Sequence, residues 1–157
     1  MPKGRTETDF EAALREHTEL REVMDDLQHF LEKPRPEIGQ KGFHTWASEM
    51  SRRLVGLHDR LFQHFNDEEE SGMLDELEER HPRAYEKIQA LRGEHGEILA
   101  GIRDLMSATL SYSEGKKPPD PRLRQRLARI LDKTSDHEQT ETSLIQELLY
   151  DDLGESG

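Results

Sequence analysis

Apolar residues recur at alternating spacings of three and four in four segments of the chain. This spacing places the side chains along one face of an α-helix. Proline cannot continue a helix, so the proline-containing stretches 33–36 and 115–121 separate helices, and Ser71-Gly72 is a softer break. The pattern predicts four helices, the second restarting as far as residue 80, over 8–32, 42–70, 82–113 and 121–153.

The four apolar faces contain few charged residues. Only Glu68 and Glu141 are charged on these faces, although 36% of the chain is Asp, Glu, Lys or Arg. Four helices with short connections that share one core predict an all-α fold, an up-down-up-down four-helix bundle. We expect one domain over 8–153 with flexible tails at 1–7 and 154–157. The first helix shows the pattern most simply, with Phe10, Ala13, His17, Leu20, Met24, Leu27 and Leu31.

The composition excludes several classes of protein. The chain has 157 residues and a net charge of −12, which argues against nucleic-acid binding because that requires a basic surface. It has no Cys, which excludes disulfides, thiolate metal sites and a Cys nucleophile. No apolar run is long enough to span a membrane, and the first residues do not resemble a signal peptide. We therefore expect a cytoplasmic protein, monomeric or weakly homo-oligomeric.

Six ionisable residues interrupt the apolar faces, and they repeat. The first pair of helices carries one His and then His-x-x-x-Glu, and the second pair does the same. Residues four apart lie on one face of a helix, so each His-Glu pair points the same way. At about 1.5 Å of rise per residue, all six can meet in one layer of the bundle. They are His17, His64, Glu68, His95, His137 and Glu141.

A bound metal is the direct reason for imidazoles and carboxylates to share a core. Unpaired buried charge is costly, so a polar network without metal is the less favoured alternative. Imidazole and carboxylate suit iron or manganese, and the absence of thiolate disfavours a structural zinc site. One His-x-x-x-Glu pair arises easily by chance. The prediction of a metal site rests on two such pairs on core faces, each matched by a lone core His.

The ordered pattern resembles the hemerythrin-like family, also called the HHE cation-binding domain. The likeness rests on Glu16 to Arg21, His64 to Glu69, His95 and His137 to Glu141, and it covers about residues 10–150. It implies a four-helix bundle around two Fe ions with a bridging oxo or hydroxo group, with Mn or Zn as substitutes. The four His residues would then bind terminally, and Glu68 and Glu141 would bridge.

The chain departs from the oxygen-carrying hemerythrins, which have a fifth His on the third helix and an Asp five residues after the last His. Here Leu91 and Leu99 flank His95, and the last carboxylate is Glu141. The pattern is more similar to the bacterial H-HxxxE-H-HxxxE branch. This implies binding, sensing, storage or detoxification of O2, NO or peroxide. The alternatives are a catalase-like or oxidase enzyme, and an iron-responsive or iron-centre repair module with a protein partner.

Other ionisable residues carry weaker hypotheses. His44 or His58 is either an extra ligand or, as we expect, a boundary or surface residue. The acidic run 67–70 is either an entry patch for iron or a solvated helix face, and we expect the latter for all but Glu68.

Overall fold

The computed structural model describes residues 8–115 and 121–155, with side chains as far as Leu149. These residues form a helical bundle without β-strands. Its helices are α1 (Asp9–Glu32), α2 (Phe43–Glu70), α3 (Met73–Arg80), α4 (Tyr85–Ser113) and α5 (Leu123–Glu155). Of the two predicted tails, 1–7 and 156–157 lie outside the described residues, while α5 continues two residues beyond its predicted end at 153. No described helix combines the length and apolar content needed to cross a membrane.

Local chemistry sets the helix ends. At the start of α1, the hydroxyl oxygen of Thr8 accepts a hydrogen bond from the backbone N–H of Glu11 at 3.1 Å, which satisfies one free donor of the first turn. Between α2 and α3, Gly72 takes a φ of 77°, a conformation that glycine adopts at little cost. The helix therefore ends and restarts there, as the sequence predicts.

The third predicted helix begins later than expected. His81 makes no side-chain hydrogen bond to cap a helix, and Pro82–Ala84 form a 3-10 turn before α4 starts at Tyr85. The predicted start at residue 82 is therefore wrong by three residues. The cause is the poor capping ability of His, which leaves the first turn without a side-chain acceptor.

The four long helices form a closed ring of contacts. Helix α1 packs on α2 and α5, and α4 packs on the same two helices. Their large apolar cluster contains the buried apolar residues from Leu20 to Leu31, Trp46 to Phe65, Ile98 to Tyr112 and Leu123 to Leu131. The short helix α3 contributes to a small apolar cluster, formed by Phe10, Ala13, Met73, Leu74, Leu77, Ile88, Leu91, Leu144, Ile145 and Leu148.

The predicted core faces match the buried residues closely. Every predicted residue of α1 is buried, whereas on α5 Leu131 is buried and the predicted Ile130 is only half-buried. Ile130 lies against Gly101 of α4, where a Cβ atom would overlap the Ile130 side chain. The two helices approach closely there because glycine has no side chain.

Candidate metal centre

The six ionisable residues of the apolar faces meet in one layer of the bundle. Helix α1 contributes one, α2 two, α4 one and α5 two, and each is at most 4% exposed. Along α1, α4 and α5, the layer falls between residues of the small apolar cluster and residues of the large one. On α2 the large cluster extends to Phe65, and the small-cluster residues that follow Glu68 lie on α3. We call these residues the polar layer: His17, His64, Glu68, His95, His137 and Glu141.

The polar layer divides into two groups of metal-ligand type. In each group, one donor atom from every residue lies within 4.8 Å of the others. Both groups contain Glu68 and Glu141. The first is completed by His17 and His64, and the second by His95 and His137. Two sets of donors that share two carboxylates are the arrangement needed to hold a pair of cations with carboxylate bridges.

The imidazoles present their Nε2 atoms to the shared carboxylates. His64 Nε2 lies 2.5 Å from Glu68 Oε1, and His95 Nε2 lies 3.3 Å from Glu68 Oε2. His17 Nε2 lies 3.1 Å from Glu141 Oε1, and His137 Nε2 lies 3.6 Å from Glu141 Oε2. Each carboxylate therefore uses one oxygen toward each pair of His residues.

The other nitrogen of each ring contacts an oxygen outside the layer. His64 Nδ1 lies 2.5 Å from Glu16, and His137 Nδ1 lies 3.4 Å from Glu94. Such a partner fixes the orientation of a ligating imidazole and makes it a better donor to a metal.

The remaining two rings have equivalent partners. His95 Nδ1 lies 2.9 Å from the carboxylate of Glu69, and His17 Nδ1 lies 2.7 Å from the hydroxyl of Thr142. All four rings are thus oriented with Nε2 toward the centre of the layer.

Burial and charge perturb the protonation of the layer strongly. Burial acts to lower the pKa of His17, but Glu141 and Glu68 raise it to about 10. Burial likewise acts to lower the pKa of His64, but Glu68 and Glu16 raise it to about 9. Burial and the nearby His95 lower the pKa of His137 to about 3. Without metal, the carboxylates therefore favour the protonated forms of His17 and His64, whereas burial favours the neutral form of His137.

The two shared carboxylates have pKa values shifted in opposite directions. Burial acts to raise the pKa of Glu68, but Glu141 and the surrounding imidazoles hold it well below its usual value. Burial and the neighbouring Glu68 raise the pKa of Glu141 well above its usual value. Two carboxylates this close do not both ionise easily without additional positive charge.

Several donor atoms of the layer lack a hydrogen bond of acceptable geometry within the described part of the chain. Buried polar atoms are normally satisfied, so a cluster of exceptions indicates a missing partner. All of these atoms are lone-pair donors that a cation accepts, so the residues present fit a metal pair. They are the Nε2 atoms of His64, His95 and His137, both oxygens of Glu68 and Oε2 of Glu141.

Comparison with known protein families decides what kind of domain this is. The model of the hemerythrin HHE cation binding domain matches residues 7–149. The chain belongs to the hemerythrin HHE cation-binding domain family. In the parallel comparisons, no curated protein and no solved structure matches it significantly. The resemblance found in the sequence is therefore confirmed at the level of the family.

The other four His residues of this hemerythrin-like chain lie outside both donor groups. His29 and His44 are exposed, and His81 is partly exposed. His58 is partly buried on α2, where its ring stacks on Phe62 with centroids 6.4 Å apart. None of them offers a donor atom to either group in the described residues.

Sequence analysis missed the partners of the Nδ1 atoms. Glu69 was expected to lie on a solvated helix face. In the structure its carboxylate also contacts His95. The available signal is positional. Glu16 and Glu94 directly precede the two lone His residues, while Glu69 and Thr142 directly follow the two shared Glu residues. These positions lie beside the apolar faces, so the spacing of apolar residues does not predict them.

A cleft lies beside the polar layer. It has a volume of about 410 Å³ and lies between the start of α1 and the end of α2. Its lining includes Glu68 together with Glu16, Asp67 and Ser71. Both carboxylate oxygens of Glu68 are themselves buried, so the cleft reaches this residue without exposing them.

Proposed function

We propose that this chain is a non-haem di-iron protein that binds O2, NO or peroxide at a carboxylate-bridged iron pair. His17 and His64 would hold one iron, and His95 and His137 the other. Glu68 and Glu141 would bridge them. One observation carries the proposal: two groups of buried donors share both of their carboxylates.

The donor chemistry supports iron as the metal. Imidazole nitrogen and carboxylate oxygen without thiolate suit iron or manganese better than a structural zinc site. The repeated His-x-x-x-Glu pairs support the bacterial branch of the family over the oxygen carriers, since no fifth His joins either donor group in the described residues.

The protein's own residues would orient and shield the centre. Glu16, Glu94, Glu69 and Thr142 hold the four rings through Nδ1, so the Nε2 atoms need little reorganisation to bind. The apolar clusters on both sides limit the access of water to the layer. When bound, reduced iron would supply electron density and an open coordination position to the small ligand.

The proposal extends to the topology and state of the protein. The four long helices would run up-down-up-down as one domain over 8–153. The protein would be cytoplasmic, monomeric or weakly self-associating.

Metal loading followed by exposure to gases tests this function. Purified protein reconstituted with ferrous iron should hold about two irons per chain, as the two donor groups require. The ferrous protein is prepared without oxygen, and separate samples mixed with O2, NO or peroxide should then develop new charge-transfer absorption bands. Both effects should be lost in His64→Ala and Glu141→Ala. His44→Ala is the matched control, because His44 is exposed on the same helix as His64.

The outcomes separate the alternatives. Reversible bands under O2 or NO support ligand binding, whereas sustained O2 evolution from peroxide supports a catalase-like enzyme instead. Fewer than one iron per chain in the unaltered protein, or unchanged iron content in both ligand variants, would contradict the proposal.

A further inference from the structure

The two halves of the polar layer present the same ligands in the same arrangement. Ring centroids of His17 and His64 lie 5.0 Å apart and edge-on, and so do those of His95 and His137. Both halves share the same two carboxylates. The ligands alone therefore give no reason for two cations to be held differently. Any difference must come from the residues that contact the ligands.

One partner of an Nδ1 atom breaks the match between the halves. Three of the four Nδ1 atoms contact a carboxylate, and the fourth contacts a hydroxyl. The exception is His17, whose Nδ1 atom lies 2.7 Å from Oγ1 of Thr142. Its counterpart is His95, whose Nδ1 atom lies 2.9 Å from Oε1 of Glu69. Thr142 and Glu69 hold the same place in the repeat, since each directly follows one of the shared Glu residues.

A hydroxyl and a carboxylate affect the contacting ring differently. When Nε2 binds a metal, Nδ1 carries the hydrogen and donates it to its partner. An anionic acceptor forms a stronger, charge-assisted hydrogen bond than a neutral one, and it makes the imidazole a better donor to the metal. The hydroxyl of Thr142 fixes the ring of His17 without supplying this charge. His17 should therefore be a weaker donor than His95.

Phe65 gives the second half a further support. Its ring stacks on His95 with centroids 4.1 Å apart and meets His137 edge-on at 5.4 Å. His137 has the longest Nδ1 contact of the four rings, at 3.4 Å, so Phe65 supports the ring that its carboxylate partner holds least closely. Phe65 lies farther from His64, with centroids 5.8 Å apart. Its packing thus favours the second donor group.

The repeat supplies no such ring for the first half. The position of α5 that corresponds to Phe65 is Glu138, which is buried but not aromatic. Within the described residues, the ring that contacts His17 is that of His64. Aromatic packing of the kind that Phe65 provides therefore does not offset the neutral partner of His17.

We propose that the ion held by His17 and His64 is the more weakly bound of the pair, and that Thr142 is the positioning residue that makes it so. The inference rests on the proposed function in that it requires two bound cations. The chain would then pass through a state in which the second donor group is filled and the first is empty. Metal supply would change the occupancy of the first group before that of the second.

Titration of Co²⁺ against a competing chelator tests the ranking without measuring activity. His95→Ala leaves the first donor group intact, and His17→Ala leaves the second intact. We expect the ion that remains in His17→Ala to bind more tightly than the one that remains in His95→Ala. Equal affinities, or the reverse order, would overturn the ranking.

Substitutions of Thr142 in the His95→Ala background test its role. Thr142→Val keeps the shape of the side chain but removes the acceptor, and it should lower Co²⁺ affinity about 10-fold. Thr142→Ser keeps the hydroxyl and should retain the affinity. Thr142→Glu supplies the missing charge and should raise the affinity, by an amount at the lower end of about 10-fold to 100-fold because the counterpart Glu69 is 52% exposed to water.

Two controls separate this role from an effect on folding. In the His17→Ala background the contacting ring is absent, so Thr142→Val should leave Co²⁺ affinity unchanged. Thr140→Val makes the same chemical change on α5, where the hydroxyl bonds to the backbone carbonyl of Asp136, and it should alter neither background. Equal affinities of Thr142→Val and Thr142→Ser, or an equal loss in both backgrounds, would overturn the role of Thr142.

The unaltered protein distinguishes this inference from the proposed function. Two Co²⁺ ions bound by the unaltered protein, together with either of the contrary results above, would overturn this inference alone. Failure of the unaltered protein to bind two ions would overturn both proposals.

Discussion

The large apolar cluster and the polar layer occupy the same four helices and are equally buried, but they obey opposite rules. Leu54, Leu57 and Leu61 are fully buried among other apolar side chains, and their burial contributes to folding stability. One to two turns further along α2, His64 and Glu68 are about as deeply buried, but His64 Nε2 and both Glu68 oxygens have no hydrogen-bond partner in the described part of the chain. Burial alone therefore does not reveal a residue's role. The test is whether its polar atoms are satisfied.

The largest expected effect on folding comes from the apolar side of this comparison. Leu57→Ala leaves a cavity in the large apolar cluster and should lower the free energy of unfolding by about 2–5 kcal/mol. Chemical denaturation of the metal-free protein measures this loss. The protein that remains folded should bind the same number of metal ions. A loss of metal stoichiometry in folded Leu57→Ala would show that the two regions are not separable.

A substitution in the polar layer should have the reverse effect: it should leave stability nearly unchanged and weaken metal binding. Glu141→Gln replaces a carboxyl group that burial holds toward its protonated form, so the amide should leave the melting temperature of the metal-free protein nearly unchanged. The amide cannot bridge two cations as a carboxylate does, and metal affinity should fall more than 100-fold, beyond the effect typical of residues outside the ligand set.

Calorimetry of the metal-free protein and metal analysis after dialysis measure the two quantities. Glu147→Gln is the matched control on α5, because it makes the same chemical change on the protein surface. A large drop in the melting temperature of metal-free Glu141→Gln would mean that this carboxyl group stabilises the fold by itself.

The comparison also explains how far the sequence could predict this structure. The helix positions and nearly all core residues could be predicted from the spacing of apolar residues, because buried helix positions recur every three or four residues. The six residues of the polar layer could also be predicted, because they are ionisable residues at otherwise apolar positions of this pattern. Glu138 and the Nδ1 partner Glu94 could not be found in this way. They lie beside the apolar faces, where spacing does not separate a buried or ring-contacting Glu from a solvated one. Only the position of Glu94 directly before His95 marks it in the sequence.

The Nδ1 partners should show a smaller effect than the shared carboxylates. Glu94→Gln removes the anion beside His137 and should weaken metal binding about 10-fold, at the lower end for groups that orient a ligand, because the contact is long at 3.4 Å. Glu16→Gln, beside His64 at 2.5 Å, should weaken it more. Competition titrations rank the two variants. The reverse order would show that contact distance does not govern the contribution of these residues.

The last prediction concerns the protons that the polar layer binds without metal. In the metal-free protein, the pKa of His17 is raised to about 10 and that of His64 to about 9. Since both values exceed the ordinary value of 6.5, their stabilising contribution is complete below pH 6.5 and declines as pH rises through the raised values. The melting temperature of the metal-free protein should therefore fall as pH rises from 7 to 10.

Metal should abolish this fall, because cations replace the protons on the same imidazoles. Metal binding at neutral pH should accordingly release protons, which titration in buffers of different ionisation enthalpy detects. The opposite shift of His137, to about 3, predicts a separate loss of stability as pH falls below 6.5. An equal fall at high pH with and without metal would show that the positive charge in the layer does not come from these two rings. The polar layer would then have to be balanced by groups outside it, and its difference from the apolar cluster would lose its electrostatic basis.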